Sequence, residues 1–246
     1  MPPSGSQKFA VMLCKFSDSR DVEPQPASFF QDLFVNRGTG GLNDYWVDAS
    51  LGNINMDGTE VLGWKVLGQT NADFLSTRPE RWNKILGAIN AFSLDTTKYA
   101  GFAAVFNTMV NDGGNQNNGV LVQPVDYNLT FLGHETGHVF GLDHSFDQSD
   151  RKIASWSAPG EYWDQFDIMS AMHVYSSGHP RFGPRGPLLN VANLDGMGWL
   201  PSSRVWQLSN SNSSDTHQFD LVSLSHPEIP GTWLLKSMAS IRSSAQ

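Results

Sequence analysis

The segment His134-Glu135-Thr136-Gly137-His138-Val139-Phe140-Gly141-Leu142-Asp143-His144 restricts this chain more than any other feature. Residues four apart lie on one face of an α-helix, so a helix here aims His134 and His138 at one point. Glu135 falls beside that point. Gly141 lets the chain leave the helix through a left-handed turn. The turn returns His144 as a third nitrogen. Three imidazoles with a fourth position open are the donor set of catalytic rather than structural zinc. With this chain's own frequencies of His, Glu and Gly, the spacing arises by chance on the order of once in 10⁵ chains of this length. The pattern predicts one zinc held by His134, His138 and His144. Glu135 is expected to take the proton from an attacking water and pass it to the leaving group.

A chain of 246 residues can bury a sizeable core as one large domain, or as one domain plus a small appendage. Charged residues make up only 16%, against a usual ~25%, which argues against a disordered chain. The 16 basic and 24 acidic residues leave a net charge of −8, which argues against a nucleic-acid partner. Gly at 23 and Pro at 13 point to a loop-rich surface. A single cysteine, Cys14, cannot form an internal disulfide. It sits in an apolar run over 9–16 and reads as a core residue. No run of ~18 apolar residues exists, so no membrane span is expected.

The apolar run 9–16 predicts a buried strand, and 101–106 another. Short helices are expected over 24–34 and 42–50. The stretch 53–67 reads as strand, Asp57-Gly58 turn, strand. Over 79–92, Trp82, Ile85, Leu86, Ile89 and Phe92 recur at three- and four-residue spacing, which predicts an amphipathic helix. Its start is expected at Pro79, with Ser76 or Thr77 as caps. The loop 111–119 is rich in oxygen donors and admits calcium, but its only carboxylate is Asp112, which favours a plain turn-rich loop. A short strand follows at Gly119, Val120, Leu121, Val122 and Gln123. The motif helix is expected over about 127–140, then an irregular stretch to 187, then a helix over 188–197. Beyond 201 the chain turns Ser-rich with short strand-like pieces. The expected division is 1–200 for a catalytic domain and 201–246 for a small β-rich appendage.

The extended histidine motif resembles that of the metzincin clan of zinc endopeptidases. Asp167-Ile168-Met169-Ser170, with Met169 25 positions beyond His144, is similar to the clan's Met-turn, with Met172 as the rival. Gly40-Gly41-Leu42-Asn43-Asp44-Tyr45-Trp46, with Ser50-Leu51-Gly52, resembles the immune inhibitor A type of secreted microbial metallopeptidases. So do Gly186-Pro187-Leu188-Leu189-Asn190 and Leu194-Asp195-Gly196-Met197-Gly198-Trp199-Leu200. The resemblance implies an α/β fold with a twisted mixed sheet, a backing helix at about 79–92 and an active-site helix. It implies hydrolysis of internal peptide bonds, with a protein or peptide as partner. It places the substrate along the strand Gly119–Gln123, and it makes Tyr175 a candidate extra zinc ligand or transition-state donor. Clan members are made with a signal and a propeptide. Neither is visible here, so a processed, secreted, monomeric form is expected.

Asp143 is a candidate to orient a zinc ligand, and His173 and His179 read as wall or surface residues. Two other classes stay open beside the endopeptidase. One is a zinc-containing binding or adhesion module without turnover. The other is a zinc hydrolase of a non-protein amide.

Overall fold

A strand buried on both faces belongs inside a parallel sheet covered by a layer on each side, and the first unit of this chain is built that way. The computed structural model describes residues 2–73, 81–207, 218–224 and 228–236. Two compact units divide the chain, Met1–Leu189 and Asn190–Gln246. That division falls ahead of the change in composition near 201.

In the first unit the elements are β1 (Gly5–Ser6), β2 (Phe9–Lys15), α1 (Ala27–Phe34), α2 (Leu42–Ala49), β3 (Ile54–Asn55) and β4 (Glu60–Val66). They continue with α3 (Arg81–Ala91), β5 (Gly101–Phe106), β6 (Gly114–Gln116), β7 (Gly119–Val122) and α4 (Leu129–Val139). A small hairpin of β8 (Ser177–His179) and β9 (Gly183–Arg185) closes the irregular stretch that follows α4. The central sheet has the order β4-β2-β5-β7-β6. Its first four strands run parallel and β6 runs antiparallel to β7. The fold is thus α/β with a mixed sheet.

Side chains of a strand alternate between faces, and β2 shows how both are filled. Ala10, Met12 and Cys14 join Phe102, Ala104 and Leu121 beneath α3, which contributes Ile85, Ala88 and Ile89. Burying each of those isoleucines contributes roughly 1.5–3 kcal/mol. Cys14 is fully buried, and that burial pushes its thiol far above the ordinary range, as suits an inert core residue. The opposite face carries Phe9, which meets Phe140 edge to face at 5.9 Å, and Phe140 meets Trp46 of α2 at 4.8 Å. The motif helix is therefore pinned to the sheet through its own C-cap residue.

One local expectation is met and one is corrected. The stretch 53–67 forms strand, turn and strand as expected, with its two strands in different sheets: β3 pairs with β1 and β4 pairs with β2, both in parallel. The Asp57-Gly58 turn, with Gly58 at φ +80, carries the chain from one sheet to the other. The loop 111–119 contains a strand, β6, although Asn and Gly disfavour strands, because β7 supplies a ladder for it. The helix over 79–92 is present as α3, and its expected start and caps at Ser76, Thr77 and Pro79 lie outside the described residues.

The second unit begins with α5 (Val191–Gly196), capped by the Asn190 side chain, which accepts from the Asn193 amide at 2.8 Å. It also holds a parallel pair, β10 (Val205–Gln207) with β11 (Leu234–Lys236). Arg204 lies over Trp233 at 4.6 Å and donates to the carbonyls of Ile229 and Gly231. No helix among the described residues is long and apolar enough to cross a membrane.

Candidate metal centre

Helix α4 starts at Asn128, whose side chain accepts from the Phe131 amide at 2.9 Å and satisfies one orphan donor of the first turn. It ends in a Schellman motif. The Leu142 amide donates to Gly137 O and the Gly141 amide to His138 O, both at 3.0 Å, with Gly141 at φ +94. The left-handed residue reverses the chain and carries His144 back toward the helix.

The three imidazoles converge: their ligand-capable atoms all lie within 4.8 Å of one another. Each ring is oriented through Nδ1. His134 Nδ1 faces Ile168 O at 3.0 Å, His138 Nδ1 faces Leu142 O at 2.8 Å, and His144 Nδ1 faces Glu161 Oε1 at 2.6 Å. Acceptors at all three positions favour protonated Nδ1 and leave the Nε2 lone pairs directed inward. His134 Nε2 and His138 Nε2 stand 3.1 Å apart. Two unprotonated nitrogens that close repel unless a cation lies between them. Nitrogens on a tetrahedral zinc stand roughly 3.3 Å apart, for bonds of ~2.0–2.1 Å. The donor set and its spacing fit such an ion.

Met169 lies beneath this group. It is fully buried, and its sulfur comes so close to the helix that a Cβ at Gly137 would sit 2.6 Å from it. Asp167 accepts from the Met169 amide at 2.7 Å, and Met169 O accepts from the Ser145 amide at 3.1 Å. One tight turn thus supports His134 through Ile168 and the chain beside His144 through Ser145. The side chain of Met172 lies outside the described residues.

Glu135 lines a hollow of about 340 Å³ together with His138, His144, Asn115 and Arg81. Its Oε2 accepts from the main-chain amide of Asn115 in β6 at 2.7 Å. A larger hollow of about 530 Å³ shares the Arg81 wall and is lined by Asp126, Gln123 and Phe131. Burial raises the Asp126 carboxyl to about 6 against the opposing pull of Gln123 and Arg81.

No protein-family model matches this chain, and no curated protein matches it in sequence. Among solved structures it is similar to archaemetzincin from Methanopyrus kandleri. The two share 14% identity at a TM-score of 0.39, over 80% of this chain and 97% of that one.

The other expected residues fall in different places. The strand Gly119–Val122 is interior: β5 pairs with one side and β6 with the other, so it offers no free edge for a substrate. The edge position belongs to β6. There, both main-chain groups of Asn115 are engaged, the amide by Glu135 and the carbonyl by Arg81. Gln123 does not face a substrate either; its side chain accepts from the amides of Val110 and Asn111. The one carboxylate of the 111–119 loop, Asp112, points at Arg81 and Lys84 and is thereby committed. Tyr175 is 61% exposed and packs on Phe166. His173 meets Trp163 edge to face, and His179 stacks against Phe182.

Sequence reasoning missed Glu161 and Tyr162. The carboxylate beside His144 is Glu161 and not the adjacent Asp143. Partial burial alone would raise Glu161, but the Ala158 amide and His144 hold it below the ordinary carboxylate range. Tyr162 is 3% exposed, has φ +66, and places its hydroxyl 3.0 Å from His144 Nε2. A non-glycine residue in the left-handed region is a strained choice that concentrates at functional sites. Neither residue sits in a periodic pattern. The only clue in the sequence is that a ligating histidine needs an acceptor somewhere.

Proposed function

We propose that this protein is a zinc-dependent hydrolase that cleaves internal peptide bonds of proteins. The supporting observation is the convergence of the three imidazoles, two of which, His138 and His144, line one hollow with the Glu135 carboxylate. His134, His138 and His144 would hold the ion. Zinc, when bound, supplies a Lewis acid that polarises the scissile carbonyl and lowers the pKa of water to ~7. Glu135 removes the proton from the attacking water and returns it to the departing nitrogen. The Asn115 amide keeps one oxygen of that carboxylate in place. Tyr162, buried and turned toward His144, supplies a hydroxyl donor for charge developing on the carbonyl oxygen.

The narrower resemblance to the immune inhibitor A type rests on four sequence segments. The first forms the start of α2, where Trp46 Nε1 donates to Thr136 of the motif helix at 2.7 Å and Tyr45 donates to Pro187 O at 2.6 Å. Its residues serve the site by bracing α4. The engagement of Asn115 favours a second substrate class, an amide that is not held as an added strand. A digest of casein or gelatin tests the reading. Hydrolysis that stops with a chelator and returns with zinc supports it. No hydrolysis of either protein, with zinc bound, would exclude the peptidase and leave the other amides.

A further inference from the structure

Arg81, Lys84 and Asp112 form a cluster of charged side chains that are almost wholly buried. A guanidinium removed from water is unfavourable unless its donors are matched, and Arg81 matches them in an unusual way. Only one of its bonds goes to the Asp112 carboxylate, from Nη2 at 2.8 Å. The other three go to main-chain carbonyls of one short stretch. Nε donates to Asp112 O at 3.1 Å, Nη2 to Gly113 O at 3.0 Å and Nη1 to Asn115 O at 2.9 Å. Lys84 donates to the second Asp112 oxygen at 3.2 Å. Gly114, at φ +146, lies so close that a Cβ there would meet Nη1 at 2.6 Å. An ion pair that served only the fold would need the carboxylate and not the three carbonyls. This fork grips the main chain that leads into the edge strand and one carbonyl within it.

The gripped stretch ends at Asn115, whose amide donates to Glu135 Oε2. One peptide segment therefore joins the guanidinium to the carboxylate. We propose that Arg81 is a positioning residue for Glu135, acting through the 112–115 main chain. This rests on the reading of Glu135 as the general base. A carboxylate whose supporting amide is free to shift loses its alignment, and a misplacement of ~1 Å can cost ~10²-fold in rate.

Arg81→Lys keeps the charge beside Asp112 but cannot bond three carbonyls with one ammonium. The full-length variant is expected to stay folded, keep its zinc and lose ten- to a hundred-fold in kcat on casein. The deciding measurement is a double-mutant cycle with Glu135→Gln. Acting through Glu135, Arg81→Lys should cost nothing further in the Glu135→Gln background. An equal loss in both backgrounds would show that Arg81 acts on something else and overturn the proposal. An amide spectrum labelled with ¹⁵N gives an answer that needs no turnover. The Asn115 resonance should move in Glu135→Gln and again in Arg81→Lys. An Asn115 amide unmoved by Arg81→Lys would refute the coupling even if the protein hydrolyses nothing, whereas a moved resonance without hydrolysis would count against the peptidase alone. Should Arg81→Lys not fold, Asp112→Asn, which loosens the same grip from its carboxylate side, takes its place in both measurements.

Discussion

Helix α4 and the irregular stretch that follows it contribute to the same centre in opposite ways. The helix and its Gly141 turn carry the three imidazoles and Glu135 in eleven consecutive residues. Their relative placement follows from a 3.6-residue repeat and one left-handed residue. The stretch beyond, with hardly any regular structure, supplies what orients them: Ile168 O for His134, Glu161 for His144, Met169 beneath Gly137 and Tyr162 beside His144. The chemistry is thus encoded locally, while its alignment depends on loops folded back from a distance.

If that contrast is right, changes in the helix should abolish a function outright and changes in the loops should erode it. The largest effect belongs to Glu135→Gln, which should lose ~10⁴-fold or more in kcat, about 5 kcal/mol of barrier, while retaining zinc. His144→Ala is its counterpart, expected to lose the metal itself. Zinc by elemental analysis separates the two, and full occupancy in His144→Ala would remove that residue from the ligand set. On the loop side, Tyr162→Phe should cost ~10²–10³-fold in kcat if its hydroxyl meets the developing oxyanion. Tyr175→Phe should change kcat less than about twofold, since that ring is exposed against Phe166. A reversed ranking of the two tyrosines would return the donor role to Tyr175.

Smaller again is Glu161→Gln, which keeps a hydrogen-bond acceptor but removes the charge behind His144. Zinc affinity should fall ~10–100-fold, read by competition with a chelator of known strength. An affinity equal to wild type would mean that the carboxylate does not tune the ligand. Gly137→Ala comes last. Its Cβ would press on the Met169 sulfur, so stability should drop by ~1–3 kcal/mol in chemical denaturation, with zinc stoichiometry preserved. If the helix and the Met169 turn were not in contact, the alanine would instead stabilise the helix.

The sequence alone determined those features whose cause lies within a few residues. The helix pattern of α3, the apolar strands β2 and β5, the Gly141 exit from α4 and the aim of His134 and His138 all arise from short-range periodicity and local backbone freedom. Tertiary structure decided the remainder. The resemblance placed a substrate along Gly119–Gln123, yet an Asn- and Gly-rich segment with poor strand propensity became the edge because β7 offered it a ladder. Proximity in sequence made Asp143 the candidate partner of His144, yet the chain reversal after α4 brought Glu161 there instead. The link from Arg81 through Asn115 to Glu135 joins three segments far apart in the chain. A hydrogen bond between distant segments depends on where the whole chain puts them. No spacing rule written along one segment contains that information.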